Sequence, residues 1–178
     1  MTIDDCRLTI GGLTIDDWPI DDWRIDDWPL LMAIGELEEF VMSDVVITAG
    51  EFRFEAAFET QAAPRTCAAF RALLPFKQSL VHVRWSGEAM WVPLGDLELG
   101  LAPENATSYP RPGEVILYPG GVSETEILIA YGYTNFASKA GQLAGNHFLT
   151  IVSGLDRLAS LGKATLWKGA HAVVIDRL

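Results

Sequence analysis

Hydrophobic and polar residues alternate in short runs along most of the chain, a period typical of strands that bury one face. The first such runs, Val45–Thr48 and Glu51–Glu55, flank Ala49-Gly50 and predict a hairpin. A stretch rich in proline and glycine at 101–113 predicts a loop. Further strands are predicted at Leu80–Trp85, Ala89–Leu94, Glu114–Tyr118, Glu126–Ala130, His147–Val152 and Ala172–Ile175.

Two stretches depart from this alternation and have a helical period. The first should begin at Pro64, which suits a first helical turn, and stop at Pro75. Its predicted apolar stripe comprises Ala63, Cys67, Phe70 and Leu74.

The second helix should open with Ser153-Gly154-Leu155-Asp156, which resembles a capping box, and end near Gly169. We expect Leu155, Leu158 and Leu161 to face inward. Many short strands leave many exposed edges, which closure of the sheet removes. The pattern therefore predicts a mainly β fold, a closed β-barrel capped by two α-helices.

The charge divides the chain in two. The net charge is −11, but residues 1–44 hold 12 acidic residues against Arg7 and Arg24, a net of −10. The remaining 12 acidic and 11 basic residues lie in 45–178, which is nearly neutral. We therefore separate an acidic N-terminal arm, 1–44, from a barrel domain, 45–178. The barrel has no basic stripe for a phosphate backbone, so a nucleic-acid partner is not expected.

Other features of the composition indicate a cytoplasmic protein without a membrane partner. No uncharged apolar run approaches the length of a membrane span, and the start of the chain is acidic where a signal peptide is basic. Cys6 and Cys67 are far apart in the sequence, which does not suggest a disulfide scaffold.

The arm carries a tandem repeat of five residues at 14–28, TIDDW, PIDDW and RIDDW. A period of five fits neither helix nor strand. We favour an upstream extension without a selected role, with Met42 as a natural start. The alternative is an acidic docking segment that makes a homo-oligomer, with Trp18, Trp23 and Trp28 anchored in a partner's pockets.

One part of the arm has the pattern of a hairpin. The runs Arg7–Ile10 and Leu13–Asp16 flank Gly11-Gly12, which suits a turn with positive φ. If the arm is ordered, its tryptophans should pack on the barrel or on a neighbouring subunit. Calcium binding by the aspartate pairs is a weaker hypothesis, because their spacing is not that of a calcium loop.

Two motifs resemble the cyclophilin family. Phe54-Glu55, the segment APRTCAAFRALL at 63–74 and VHVRWSGEAMW at 81–91 are similar to the first half of a cyclophilin. The second motif is LAGNHF at 143–148. The resemblance covers 45–175, loosely at 101–142, and is closest to bacterial cyclophilin-like proteins of unassigned function. It implies the cyclophilin barrel and its groove for proline.

The resemblance also shows which side chains of that groove differ. Cyclophilins isomerise Xaa-Pro bonds, whose barrier is about 18–20 kcal/mol. When the chain is aligned with the cyclophilin motifs, Val83 occupies the arginine position and Glu88 occupies the position of the aromatic floor. His147 and Leu143 match the family. A carboxylate where proline should sit costs desolvation, so strong isomerase activity is not expected. Trp91 takes the glutamine position and Gln142 the tryptophan position.

We therefore expect a cyclophilin-like protein that binds a small polar ligand in the former proline groove. If a reaction occurs, His147 and Glu88 are the candidate acid and base, although His147 can equally be a structural groove-wall residue. The alternative is a divergent prolyl isomerase acting on peptides, which Arg84 would support if a bulge turned it into the groove. The predicted ligand-binding residues are Glu88, Trp91, Gln142, Leu143 and His147.

Other polar and aromatic residues are weaker candidates. Glu124 and Glu126 share one strand face and could divide acid and base roles, but we favour a solvated strand end. The scattered histidines, with His82 and His171 interpreted as structural, predict no metal site, and no cofactor motif is present. Aromatic walls could come from Trp85, Trp91, Tyr109, Tyr118 and Tyr133, and the 101–113 loop with Glu104-Asn105 should overhang one barrel end.

Overall fold

The computed structural model describes residues 9–10, 13–14 and 42–178. The chain divides into two compact units, 1–40 and 41–178. In the first, β1 (Thr9–Ile10) pairs antiparallel with β2 (Leu13–Thr14), which confirms the centre of the predicted hairpin. The predictions for the pentad repeat, the packing of its tryptophans and a homo-oligomer through the arm lie outside the described residues.

The second unit is an antiparallel barrel of eight strands. The order around it is β4-β3-β13-β5-β6-β9-β8-β12, and β12 pairs with β4 to close it, as predicted. The short strand β7 adds to β12, and β10 pairs with β11 as a separate hairpin. The strands are β3 Val45–Ala49, β4 Phe52–Phe58, β5 Phe76–His82, β6 Gly87–Gly95, β7 Ala106–Thr107, β8 Glu114–Tyr118, β9 Thr125–Thr134, β10 Ala137–Ser138, β11 Gly141–Gln142, β12 Gly145–Ser153 and β13 His171–Arg177.

Two helices close the core, as predicted. Helix α1 (Pro64–Arg71) begins with Pro64 and buries Cys67 and Phe70, but it ends four residues before Pro75. The Phe70 ring lies 4.9 Å from that of Phe148 on β12, measured between centroids. Aromatic packing of this kind fixes the helix on the barrel, since rings tilted by 55° at this distance attract each other.

Helix α2 (Leu155–Lys168) buries Leu158 and Leu161 and ends at Gly169, as predicted. Its start differs from the prediction. Ser153 belongs to β12, so the N-cap is Gly154, with a left-handed φ of 87° that favours glycine. Leu155 is consequently 47% exposed and does not face inward.

The sheet formed by β6, β9 and β8 buries side chains on both faces. Along β8, Val115 and Leu117 belong to the main core, whereas Ile116 between them belongs to a second cluster. This alternation places the second cluster on the outer face of the barrel wall. We call it the outer cluster, and it comprises Ala89, Ile116, Tyr118, Leu128, Phe136 and Leu143.

The described residues contain no helix that is both long and apolar enough to cross a membrane.

Candidate functional site

A cleft of about 500 Å³ opens on the outer face of the barrel wall. The turn between β5 and β6 and the β10–β11 hairpin form two of its walls. We call it the outer cleft, and its lining residues are Val83–Ser86, Trp91, Val122–Glu124, Glu126 and Ala137–Ala140.

Ser86 fixes these two walls to each other. Its side chain is buried, and its Oγ donates to the carbonyl of Ala137 and accepts from the Ala137 amide, both at 3.1 Å. The Ser86 carbonyl also accepts a hydrogen bond from the Asn135 amide, at 3.0 Å. These bonds join residues 49 and 51 positions apart, so the cleft is a product of tertiary folding.

The floor of the outer cleft carries a buried carboxyl group, that of Glu126. The residue is only 7% exposed, and in the sheet it stands opposite Tyr118 and Pro93. Burial, and secondly the negative charge of Glu124, raise the pKa of Glu126 from 4.5 to about 7. No side chain or amide in the described part of the chain donates a hydrogen bond to it.

Glu124 differs from Glu126 although both line the cleft. Glu124 is exposed, and its Oε2 accepts a hydrogen bond from the Gly95 amide at 3.1 Å. The preferred prediction of a solvated strand end is therefore wrong for Glu126, whose charge is buried, and right for Glu124. The cleft therefore holds one exposed and one buried carboxyl group.

Cationic and aromatic side chains surround these carboxyl groups. Arg84 and Lys139 are exposed residues of the cleft lining. Trp85 is 61% exposed, whereas Trp91 is half-buried on β6. Because β5 ends at His82, Arg84 lies in the following turn and reaches the cleft without a strand bulge.

The five predicted ligand-binding residues lie in different surroundings. Trp91 lines the outer cleft, whereas Leu143 is buried in the outer cluster beneath it. Gln142 is exposed and donates to the hydroxyl of Tyr109 at 2.7 Å and to Oδ1 of Asn135 at 2.9 Å.

Glu88 and His147, the predicted acid and base, have separate partners. Oε2 of Glu88 accepts a hydrogen bond from the Tyr133 amide at 2.8 Å. Nε2 of His147 lies 2.9 Å from the hydroxyl of Thr150 and 3.8 Å from Oε1 of Glu59, so Glu59 is its acidic neighbour. A bulge between His147 and Leu149 brings His147 and Thr150 to the same side of β12.

Two other predicted residues have structural contacts. His82 is a satisfied structural histidine, as predicted, with its ring nitrogens 2.8 Å from the Val83 carbonyl and 2.8 Å from the Tyr131 hydroxyl. Glu104 accepts hydrogen bonds from the amide and hydroxyl of Thr66, both at 2.9 Å, and so caps α1, where Ala63 offers no side-chain cap.

Sequence reasoning missed the contributions of Ser86 and Lys139. Lys139 lies in the β10–β11 hairpin, whose strands of two residues are too short to show a periodicity. Ser86 lies in the turn between β5 and β6, directly after the strand predicted at Leu80–Trp85. The Glu-x-Glu spacing at 124–126 was a signal in the sequence for the two carboxyl groups of the outer cleft. Within residues 9–10, 13–14 and 42–178, no three His, Cys, Asp or Glu side chains come together as metal ligands.

Residues 45–176 match a family model described as "Protein of unknown function (DUF3830)". A comparison with curated proteins found no significant match.

Three solved structures are similar to this chain. McbB in complex with tryptophan has a TM-score of 0.60 and 18% identity over 75% of this chain, which spans 44% of the McbB chain. The hypothetical protein AF2241 from Archaeoglobus fulgidus has a TM-score of 0.53 and 20% identity, covering 78% of this chain and 96% of AF2241. A cyclophilin-type peptidyl-prolyl isomerase from Cryptosporidium parvum, with the dipeptide Ala-Pro, has a TM-score of 0.51 and 13% identity, covering 76% and 98%. The predicted cyclophilin-like fold is confirmed.

Proposed function

This chain belongs to the DUF3830 family of proteins of unknown function, and we propose that it binds a small zwitterionic molecule with an aromatic group, such as an aromatic amino acid, in the outer cleft. The observation that carries the proposal is Glu126, a carboxyl group buried at the floor of a cleft without a hydrogen-bond donor from the described residues. Burial disfavours the ionised form of this carboxyl group, and a hydrogen-bond donor on a ligand would offset that cost.

The carboxyl pair suits an amino group. At neutral pH Glu126 is partly protonated, since its pKa is raised to about 7. An ammonium group beside it favours the charged carboxylate and would displace its proton. Glu124, which is exposed, adds a second negative charge at the same cleft.

The cations suit a carboxylate. Arg84 offers a planar fork of N–H donors that matches a carboxylate, and Lys139 adds a point charge. A cleft that carries both carboxyl groups and cations should bind a zwitterion more tightly than a ligand with a single charge. A singly charged ligand leaves one of the two sets of side chains without an opposite charge.

The aromatic walls and the size suit a planar ring. Trp85 and Trp91 offer faces on which a ring can stack. A volume of about 500 Å³ lies within the range of ordinary small-molecule sites. That McbB, a protein of similar fold, was solved in complex with tryptophan adds support for an aromatic amino acid.

Three related ligands test the proposal by isothermal titration calorimetry: tryptophan, tryptamine, which lacks the carboxylate, and indole-3-propionate, which lacks the amine. We expect tryptophan to bind most tightly. Arg84→Gln should weaken tryptophan and leave tryptamine unchanged, whereas Glu126→Gln should weaken both amines and spare indole-3-propionate. Each loss should be about tenfold to a hundredfold, the range of a charge-assisted hydrogen bond.

Matched controls come from charges outside the cleft. Arg65→Gln on α1 removes a positive charge, as Arg84→Gln does, and Glu98→Gln removes a negative charge, as Glu126→Gln does. Both controls are exposed positions that do not line the cleft. If they weaken tryptophan as much as the cleft variants do, the effect is one of net charge and the proposal is wrong. Equal affinity for all three ligands would also contradict it.

A second candidate is a divergent prolyl isomerase, favoured by the presence of Arg84 in the cleft lining. Glu88 at the position of the aromatic floor argues for weak activity at most. The cis-to-trans rate of an Ala-Pro peptide, measured with the protein and with its Arg84→Gln and His147→Ala variants, separates the two candidates. Acceleration that Arg84→Gln abolishes would support the isomerase.

A further inference from the structure

A second cleft, of about 430 Å³, lies along the C-terminal half of α2. We call it the helix cleft. It has no residue in common with the outer cleft, and the turn between β3 and β4 and the start of β13 form its other sides. The residues that carry the argument are Glu51, Phe52, Lys163, Trp167, Lys168 and His171.

The helix cleft uses a face of α2 that the core does not. Leu158, Leu161 and Thr165 face the barrel and are buried. Lys163 and Trp167, four residues apart, lie on one adjacent face and line the cleft. Trp167 is 81% exposed, although a residue of its size ordinarily buries most of its surface.

His171 supplies an independent observation. It begins β13, and its ring approaches the turn at Gly50, where an added Cβ would lie 3.4 Å from Nδ1. Its Nε2 is buried and has no hydrogen-bond partner among the residues that the structure describes. Buried polar atoms are nearly always satisfied, so Nε2 of this cleft-lining residue lacks a partner that a bound polar group could supply.

The charges of the helix cleft favour an anion. Lys163 and Lys168 oppose the single carboxylate of Glu51. Lys168 is the last residue of α2, where its charge offsets the negative end of the helix dipole. Lys163, one turn earlier, is left to attract a ligand, and an imidazole N–H of His171 can donate to the same anionic group.

We propose that the helix cleft is a binding site for a small planar carboxylate, whose ring stacks on Trp167 and whose carboxylate meets Lys163 and His171. This site is separate from the outer cleft and does not depend on its ligand. The aromatic wall and the cation lie on one helix face, so both contacts can form with one small molecule.

The test is a titration of the isotope-labelled full chain with benzoate, and in parallel with neutral benzyl alcohol, followed by NMR. The indole signal of Trp167 and the ring signals of His171 should move saturably with benzoate and much less with benzyl alcohol. Lys163→Gln should weaken benzoate about threefold to fivefold, the upper range for an exposed ion pair. Lys77→Gln, which removes a charge from an exposed residue of β5 outside the cleft, should leave the affinity unchanged.

Four outcomes would overturn the proposal. One is no movement of the Trp167 and His171 signals up to ~50 mM benzoate, far above the range of a specific site. Another is an equal response to benzyl alcohol, which would show that charge plays no part. The third is an equal loss of affinity in Lys163→Gln and Lys77→Gln. Movement of the Trp85 and Trp91 signals alone would place benzoate in the outer cleft and likewise contradict this site.

Discussion

The buried carboxyl of Glu126 predicts a distinct dependence of stability on pH. Its pKa is raised from 4.5 to about 7 in the folded protein by burial and, secondly, by Glu124. Between these two pH values the folded protein keeps a proton that the unfolded chain releases. The free energy of unfolding therefore falls as pH rises from 4.5 to about 7, and this penalty is complete above 7.

The size of the penalty follows from the shift. At 1.36 kcal/mol per pH unit the full shift corresponds to about 3 kcal/mol. Because the outer cleft is open to solvent, screening reduces this, and we expect about 1–2 kcal/mol. Glu126→Gln is neutral at every pH and lacks the penalty, so its stability relative to the natural protein should rise by that amount between pH 4.5 and pH 8.

Urea denaturation at several pH values measures this, followed at the NMR signals of barrel residues such as Ile127. Any constant cost of the glutamine side chain cancels, since only the change with pH is compared. Glu98→Gln, at an exposed position, is the matched control and should show no such trend. A stability difference for Glu126→Gln that is the same at pH 4.5 and pH 8 would refute the reasoning.

Three further predictions concern the barrel. Desolvation is the largest single effect on the pKa of Glu104 and raises it, but the hydrogen bonds from Thr66 and Arg65 together hold this pKa below its usual value. The contribution of Glu104 to stability should therefore be lost as pH falls through the folded pKa, and Glu104→Gln should speed hydrogen exchange of the Thr66 amide at neutral pH and much less in acid. Gly162→Ala should lower the free energy of unfolding by about 1–3 kcal/mol, because the added Cβ would overlap the Tyr131 ring. This cost outweighs the higher helix propensity of alanine. Ser160→Ala, the control on the same helix, should not lower the free energy of unfolding. Burial raises the pKa of Cys67 to about 11, so iodoacetamide at pH 8 should label it only after unfolding. Rapid labelling of Cys67 in the native protein, measured by peptide mass spectrometry that separates it from Cys6, would contradict this.

Much of the barrel could be predicted from local pattern. The bounds of β8 were predicted without error, because its apolar run follows Gly113 and ends before Pro119. The strand predicted at Leu80–Trp85 is instead Phe76–His82. Its apolar pattern continues into Val83 and Trp85, which leave the sheet to line the outer cleft. Local rules fail most readily at functional sites, which fits the ligand site that we propose for this cleft.

The site itself depended on contacts that sequence spacing does not show. The spacing of Glu124 and Glu126 was visible, but the cleft that they line has walls joined through Ser86 and Ala137, 51 residues apart. The start of α2 shows the same limit. Ser153 reads as a cap, but pairing with Glu55 keeps it in β12, and Gly154 makes the turn.

The measurement that tests the central claim most directly is the affinity of tryptophan for the natural protein and for Glu126→Gln, by calorimetry at pH 6 and pH 8. Because the ammonium group requires the ionised carboxyl, the natural protein should bind more tightly at pH 8, with proton release near pH 7. Glu126→Gln should bind weakly at both values. Affinity that is independent of pH and unchanged by the substitution would show that Glu126 and the outer cleft do not bind the amino group.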